Sequence, residues 1–153
     1  METYSLLEKV EMTEALINAN GLGYNLPMAR LYSIIEQENE QVSMTLADEH
    51  GDVYDLLANR NTLKVAKVSD YIVVVTCGWA SPIDPDRDPN DDEVAPSQHP
   101  KRRRVRLVVM AGKEGMASAL RFSDNPDEVI TDDGNAVGSL ASALHDLMLE
   151  AHL

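Results

Sequence analysis

Asp70 to Ala80 reads DYIVVVTCGWA. Five consecutive residues, Tyr71 to Val75, are apolar and mostly β-branched. Branching at Cβ stiffens the side chain and suits the pleated backbone better than the helix. A strand with one wet face alternates apolar and polar residues, so an unbroken apolar run predicts burial on both faces. The stretch is expected to be a central strand with hydrogen-bonded neighbours along each edge.

Downstream, SPIDPDRDPNDDEVAPSQHPKRRRVRL (Ser81 to Leu107) packs six carboxylates and then five basic side chains into one segment. Five of the seven prolines fall between 81 and 101. Each proline removes a backbone donor, so neither strand nor helix is predicted there. A flexible loop over 81–101 is expected instead. RVRLVVMAGKEGMASALRFSD then predicts a hairpin. Val105, Leu107 and Val109 alternate with Arg104, Arg106 and Val108, the turn is GKEG, and the return strand runs from Met116 to Phe122. DNPDEVITDDGNAVG reads as a second acidic loop. SLASALHDLMLEAHL is amphipathic, with Leu140, Ala141, Leu144, Leu147, Met148 and Ala151 at helical spacing.

Upstream, SLLEKVEMTEALINANG predicts a helix. Ser5 and Glu8 have capping-box spacing, and Leu6, Val10, Thr13 and Ile17 line one face, widened by Leu7 and Leu16. Asn20-Gly21 supplies the stop. GLGYNLP is turn-rich. ARLYSII and VSMTLA, joined by EQENEQ, read as a β-hairpin over Arg30–Ile35 and Gln41–Leu46; the rival is one long helix from Met28 to Asp48. GDVYDLLANRN predicts a short helix, Asp52 to Asn59, with Asp52 as N-cap and Val53, Leu56 and Leu57 inward. The order is α-β-β-α-β-(long loop)-β-β-α. The expected fold is a single α+β domain over residues 1–153, a mostly antiparallel sheet of about five strands with helices packed on one face.

Composition narrows the function. Of 153 residues 44% are apolar, enough for a core, but only 5% are aromatic, thin for stacking bases or sugars. A net charge of −13 repels phosphate, which disfavours nucleic acid and anionic membranes. The single cysteine, Cys77, rules out an intrachain disulfide and a cysteine-based zinc cluster, and it fits a reducing compartment. METYSLLEKVEM carries acids within its apolar positions, unlike a secretion signal, and no apolar run approaches the roughly 18 residues of a membrane helix. A soluble cytoplasmic protein is expected.

No catalytic constellation emerges. Asp84, Asp86 and Asp88 match the start of a calcium loop, but Pro89 stands where the sharp turn needs Gly, and Ala95 where a bidentate Glu is needed. Starting at Asp86 puts Asp91 and Ser97 at those places, so no metal site is predicted. Cys77, at the end of the central strand, needs a base to act as a nucleophile. Of the four histidines, His99 lies in the predicted loop, His152 at a frayed end, His145 beside an apolar stripe, and His50 elsewhere. Val75 stands where a nucleophile elbow requires Gly. Cys77 therefore reads as an inert core thiol, with no cofactor implied. Gly21 and Gly23 lack the third glycine and the preceding strand of a dinucleotide fingerprint.

Two features invite a ligand. Trp79 caps the core or lines a cleft where the strand opens into the loop. Arg104 and Arg106 share one face of the next strand, either satisfied by the chain's own acids or forming an anion pocket, which Arg121 and Asp124 would join. Residues 101–106 supply at most a weak nucleic-acid contact, sensitive to salt.

VVVTCGWA, RRRVRLVV, LRFSDNPDEV and GSLASALHDL resemble stretches of small acidic actinobacterial proteins with no assigned function. The resemblance covers about the C-terminal half. It implies an acidic residue at the place of Cys77 in many relatives, and it transfers no substrate, cofactor or catalytic residue. The expected function is a non-enzymatic binding or regulatory module acting through protein–protein contact, paired as a homodimer. The alternative is a small ligand-binding domain or enzyme with its anion site near Trp79, Arg104 and Arg106.

Overall fold

A computed structural model of the protein describes residues 4–37, 42–80, 98, 100–132 and 139–153. The elements in chain order are α1 (Leu6–Ala19), β1 (Ala29–Glu36), β2 (Val42–His50), α2 (Val53–Ala58), α3 (Arg60–Val68), β3 (Tyr71–Ala80), β4 (Arg103–Gly112), β5 (Gly115–Phe122), β6 (Val129–Asp132) and α4 (Ser139–Ala151). Six strands form one antiparallel sheet in the order β2-β1-β3-β4-β5-β6. The α+β class and the antiparallel sheet are those expected. The hairpin over 28–48 forms and the rival long helix does not, because Leu31 and Ile34 find buried places beside β3 that a solvated helix would not offer.

Tyr71 to Val75 are all buried, and β3 is paired on both edges, to β1 and to β4. Alternation sends Ile72 and Val74 to one face and Tyr71, Val73 and Val75 to the other. Burying each valine or isoleucine is worth about 1.5–3 kcal/mol relative to leaving it in water. Both faces therefore need cover, which revises the expectation that the helices share one face. Ile72, Val74, Leu31 and Val109 pack with Leu56 of α2, Ala66 of α3 and Leu140, Leu144 and Met148 of α4. Val73, Val75, Ile34, Val108 and Met110 pack with Val10 and Ile17 of α1.

Local signals at the helix starts are realised. Ser5 Oγ accepts from the Glu8 N–H at 3.1 Å and Glu8 Oε1 accepts from the Ser5 N–H at 3.3 Å, completing the capping box. Asp52 Oδ1 accepts from the N–H groups of Tyr54 and Asp55. Two elements exceed the sequence reading. Helix α3 was hidden because its buried positions are Thr62 and Ala66 amid Arg60, Asn61, Lys64 and Lys67, too thin an apolar stripe to register. It starts on Asn59, whose side chain accepts from the Asn61 N–H, and Thr62 Oγ1 donates to Leu56 O at 2.5 Å. Strand β6 lies inside the expected second acidic loop; its four residues pair with β5 but bury little. The expected loop over 81–101 lies outside the described residues, apart from Gln98, Pro100 and Lys101. Among the described residues no helix is long and apolar enough to cross a membrane.

One end of α1 is pinned by a tyrosine. Lys9 Nζ donates to Tyr71 Oη at 2.7 Å and to Glu36 Oε1 at 3.0 Å, and Tyr71 Oη donates to Glu114 Oε1 at 2.6 Å. Burial, then the Glu114 hydrogen bond, pushes the phenol up to about 12. The ring lies against Gly112. A Cβ there would meet Tyr71 Cε1 at 2.6 Å and Cδ1 at 2.7 Å. Gly112→Ala is expected to destabilise the protein by about 1–3 kcal/mol, since the buried ring has to shift. Urea denaturation measures this, and an unchanged midpoint would mean that the ring is not held.

Candidate functional site

Four of the five residues singled out in the sequence converge. On β3, Cys77 and Trp79 project to the same side as Val73 and Val75, the α1 side. On β4, Arg104 and Arg106 share that side with Val108, as does Arg121 on β5 with Ala119. Register sets Trp79 opposite Arg104, Cys77 opposite Arg106, and Arg106 opposite Arg121. Asp124 does not join them. It accepts from Arg103, on the other side of β4, with Nη2 to Oδ1 at 2.6 Å. Glu128 accepts from Nη1 and Nη2 of Arg103, whose guanidinium lies 3.8 Å from the Phe122 ring centre. The hydrogen bonds that Arg103 donates to Asp124 and Glu128 raise its pKa further.

The convergent arginines are held by the protein itself. Glu14 of α1 is 1% exposed and Arg106 is wholly buried. Arg121 donates to Glu14 through Nε at 2.8 Å and Nη2 at 2.5 Å, and Arg106 donates to it through Nη2 at 3.2 Å. Arg106 also reaches Asn18 Oδ1 at 2.8 Å and Leu22 O. Burial pushes the Glu14 carboxyl up, but the hydrogen bonds from Arg121 and Arg106 overcome it and hold the group below the usual carboxylate range. Three consecutive carbonyls of the link after α1 are taken by side chains of the sheet. Leu22 O accepts from Arg106, Gly23 O from Cys77 Sγ at 3.7 Å, and Tyr24 O from Arg104 Nε at 2.8 Å. The cluster fastens α1 and its link to β3, β4 and β5.

Sequence reasoning missed Glu14, Asn18 and Tyr24. The signal for Glu14 was present: it sits between Val10 and Ile17 at the i, i+4, i+7 spacing of the inward face, where an acid needs a partner. Little of the cluster is left to meet a ligand. Trp79 is 40% exposed, with the guanidiniums of Arg102 and Arg104 at 4.9 and 5.1 Å from its ring. Inside, Arg106 Nε and Tyr24 Oη are buried with no hydrogen-bond partner among the described residues, and the guanidinium of Arg106 lies 4.8 Å from the Tyr24 ring.

Nucleophile–base geometry is absent among the described residues. Cys77 faces α1, whereas His50 and His152 bond on the α2–α4 side, to Asn59 at 3.0 Å and to Ala66 O at 2.8 Å. His145 lies on α4, its Nε2 buried and without a hydrogen-bond partner among the described residues. His99 and the calcium-like segment lie outside the described residues. Among those described, no three of His, Cys, Asp and Glu converge to hold a metal.

The α1 side offers a second surface. α1 lies over β4, β5 and β6, while α2 and α3 cover β1 and β2 only from the other side. The α1 side of β1 and β2 is therefore bare of any described helix. Cross-strand pairs there run Arg30–Glu49, Tyr32–Leu46, Ile34–Met44 and Glu36–Val42. The middle of that ladder is apolar, yet Leu46 is 44% exposed and Val42 59%. On α1, Lys9, Met12 and Leu16 stand at i, i+3 and i+7, so they share a side of the helix. Lys9 reaches Glu36 of β1, which shows that this side faces the bare ladder. Met12 and Leu16, each just over half exposed, form its wall.

The fold and this surface define an α+β domain whose strands β1 to β5 are covered by helices on one side, while on the other side α1 covers only β4 to β6. No model of a known protein family, no curated protein and no solved structure matches the chain.

Proposed function

We propose that the protein is a non-enzymatic binding module that works through contact with another protein. One observation carries this reading: the half of the sheet beside α1 that exposes Val42 and Leu46, with Met12 and Leu16 alongside. Apolar side chains scattered singly are ordinary on a surface, but Val42 and Leu46 share one face of β2 with Met44, on the side of the sheet where α1 carries Met12 and Leu16. The enzyme and small-ligand reading loses ground because Arg103, Arg104, Arg106 and Arg121 donate to the chain's own carboxylates and carbonyls. A homodimer is one form of such contact. The outer edge of β2 carries backbone groups with no neighbouring strand among the described residues, and a symmetric partner would satisfy them.

A photo-crosslinking residue placed at position 46 is expected to yield protein adducts in the cell of origin, and the same residue at position 64, on exposed α3, is not. A thermal-shift screen of nucleotides, phosphosugars and carboxylates is expected to leave the melting temperature unmoved. Stabilisation by one of these, lost in Arg104→Ala, together with no adduct at position 46, would overturn the proposal in favour of an anion site at Trp79.

A further inference from the structure

We infer that the outer edge of β2 pairs with the same edge of a second copy, antiparallel about a two-fold axis at Met44. The inference rests on the contact-module reading and names its partner.

A strand edge specifies its occupant, because its unpaired N–H and C=O groups are satisfied by another strand. Among the described residues β2 has β1 as its one neighbour. The regular part of the open edge is short. Leu46 stands opposite Tyr32 and Asp48 opposite Leu31, so Ala47 is an extra residue at a bulge. A bulge bends the strand and ends regular pairing. The stretch open to a partner strand is therefore Val42 to Leu46, and its centre is Met44.

That stretch matches itself. A two-fold axis at Met44 sets Val42 opposite Leu46 of the second copy, and Leu46 opposite its Val42. Both residues are exposed in the single chain, and each would cover the other. Val42, Met44 and Leu46 share one face, and Ser43 and Thr45 the other. Ser43 therefore meets Thr45 across the axis, hydroxyl beside hydroxyl.

Charge decides where two copies can meet. Chains of net charge −13 repel each other except where charge is missing or neutralised. VSMTL, residues 42–46, holds no charged residue and no proline, the usual guards of an edge. The acids beside it have partners inside the chain. Glu36, opposite Val42 on β1, accepts from Lys9 at 3.0 Å, and Glu49 pairs with Arg30 at 3.3 Å. Asp48 accepts from Asn61 Nδ2 at 3.3 Å.

Sedimentation velocity on the full chain is expected to show a dimer that tightens as salt rises, since salt screens the repulsion between copies. Val42→Lys/Leu46→Lys sets lysine opposite lysine twice and is expected to weaken it about tenfold or more. Val42→Lys/Leu46→Glu sets lysine opposite glutamate and is expected to restore it. In a Cys77→Ser chain, Met44→Cys is expected to form an interchain disulfide under mild oxidation, because residues facing each other on the axis are about 4.5–5.5 Å apart. Ser43→Cys is not, because its counterpart lies on the diagonal, about 7–8 Å away. A dimer indifferent to the lysine pair, one that the Lys/Glu variant fails to restore, or one linked through position 43 instead of 44 would overturn the inference. A monomer at every concentration would overturn it too. Adducts at position 46 with another protein would in that case leave the contact reading standing, and their absence would remove both.

Discussion

Glu14→Gln is expected to destabilise the protein by about 3–5 kcal/mol, read from the shift of a denaturation curve at constant slope. Among the described residues this carboxylate is the one bonded to two buried or half-buried guanidiniums. Glutamine keeps the shape but removes the charge, leaving the guanidinium of Arg106 wholly buried among neutral acceptors. Total stability for a domain of this size is about 5–15 kcal/mol, so the loss is a large share. A loss below about 1 kcal/mol would show that water reaches Arg106. The penalty comes from the stranded charges rather than from the pair's net strength. Replacing all three residues together, Glu14→Leu, Arg106→Met and Arg121→Met, is therefore expected to cost less than Glu14→Gln alone. The same carboxyl gives a pH dependence of known sign. Its folded pKa is depressed below the ordinary carboxylate value. Its contribution is therefore complete above the unfolded pKa and is lost as pH falls through the folded one. Wild type should lose stability in acid more steeply than Glu14→Gln.

Leu144→Ala in α4 is expected to cost about 2–5 kcal/mol, and Leu149→Ala, on the same helix, less than about 0.5 kcal/mol. Leu144 is fully buried in the cluster with Val74, Val109 and Leu31, and Leu149 is 44% exposed. Leucine at the two positions has the same helix propensity, so the contrast isolates packing onto the sheet. Comparable losses at both would contradict the placement of α4 on this face.

Much of the fold was legible from short-range pattern. The β-branched run of 71–75, the Ser5 and Asp52 caps, the alternation in β4 and the heptad-like spacing of α4 all act within a few residues. Each resolved as expected. Elements with weak local signals escaped, as Thr62 and Ala66 of α3 and the little-buried β6 show. The side on which each helix lies also escaped. An apolar stripe says that a helix must be covered, not by which face of which sheet.

The candidate site divides along the same line. That Arg104, Arg106 and Arg121 would lie on one side of neighbouring strands follows from the period of two, which the sequence by itself determines. Which acid answers them does not. Glu14 stands 92 residues from Arg106 and 107 from Arg121. Only the packing of α1 onto β4 and β5 brings the three together. The bare β1–β2 trough is likewise a property of assembled layers. The sequence places apolar residues at Tyr32, Met44 and Leu46 as though for a core, and only the tertiary structure decides that α1 covers the other half of the face. Propensity and periodicity act between near neighbours, whereas cover and charge pairing depend on which distant segments the sheet order brings side by side.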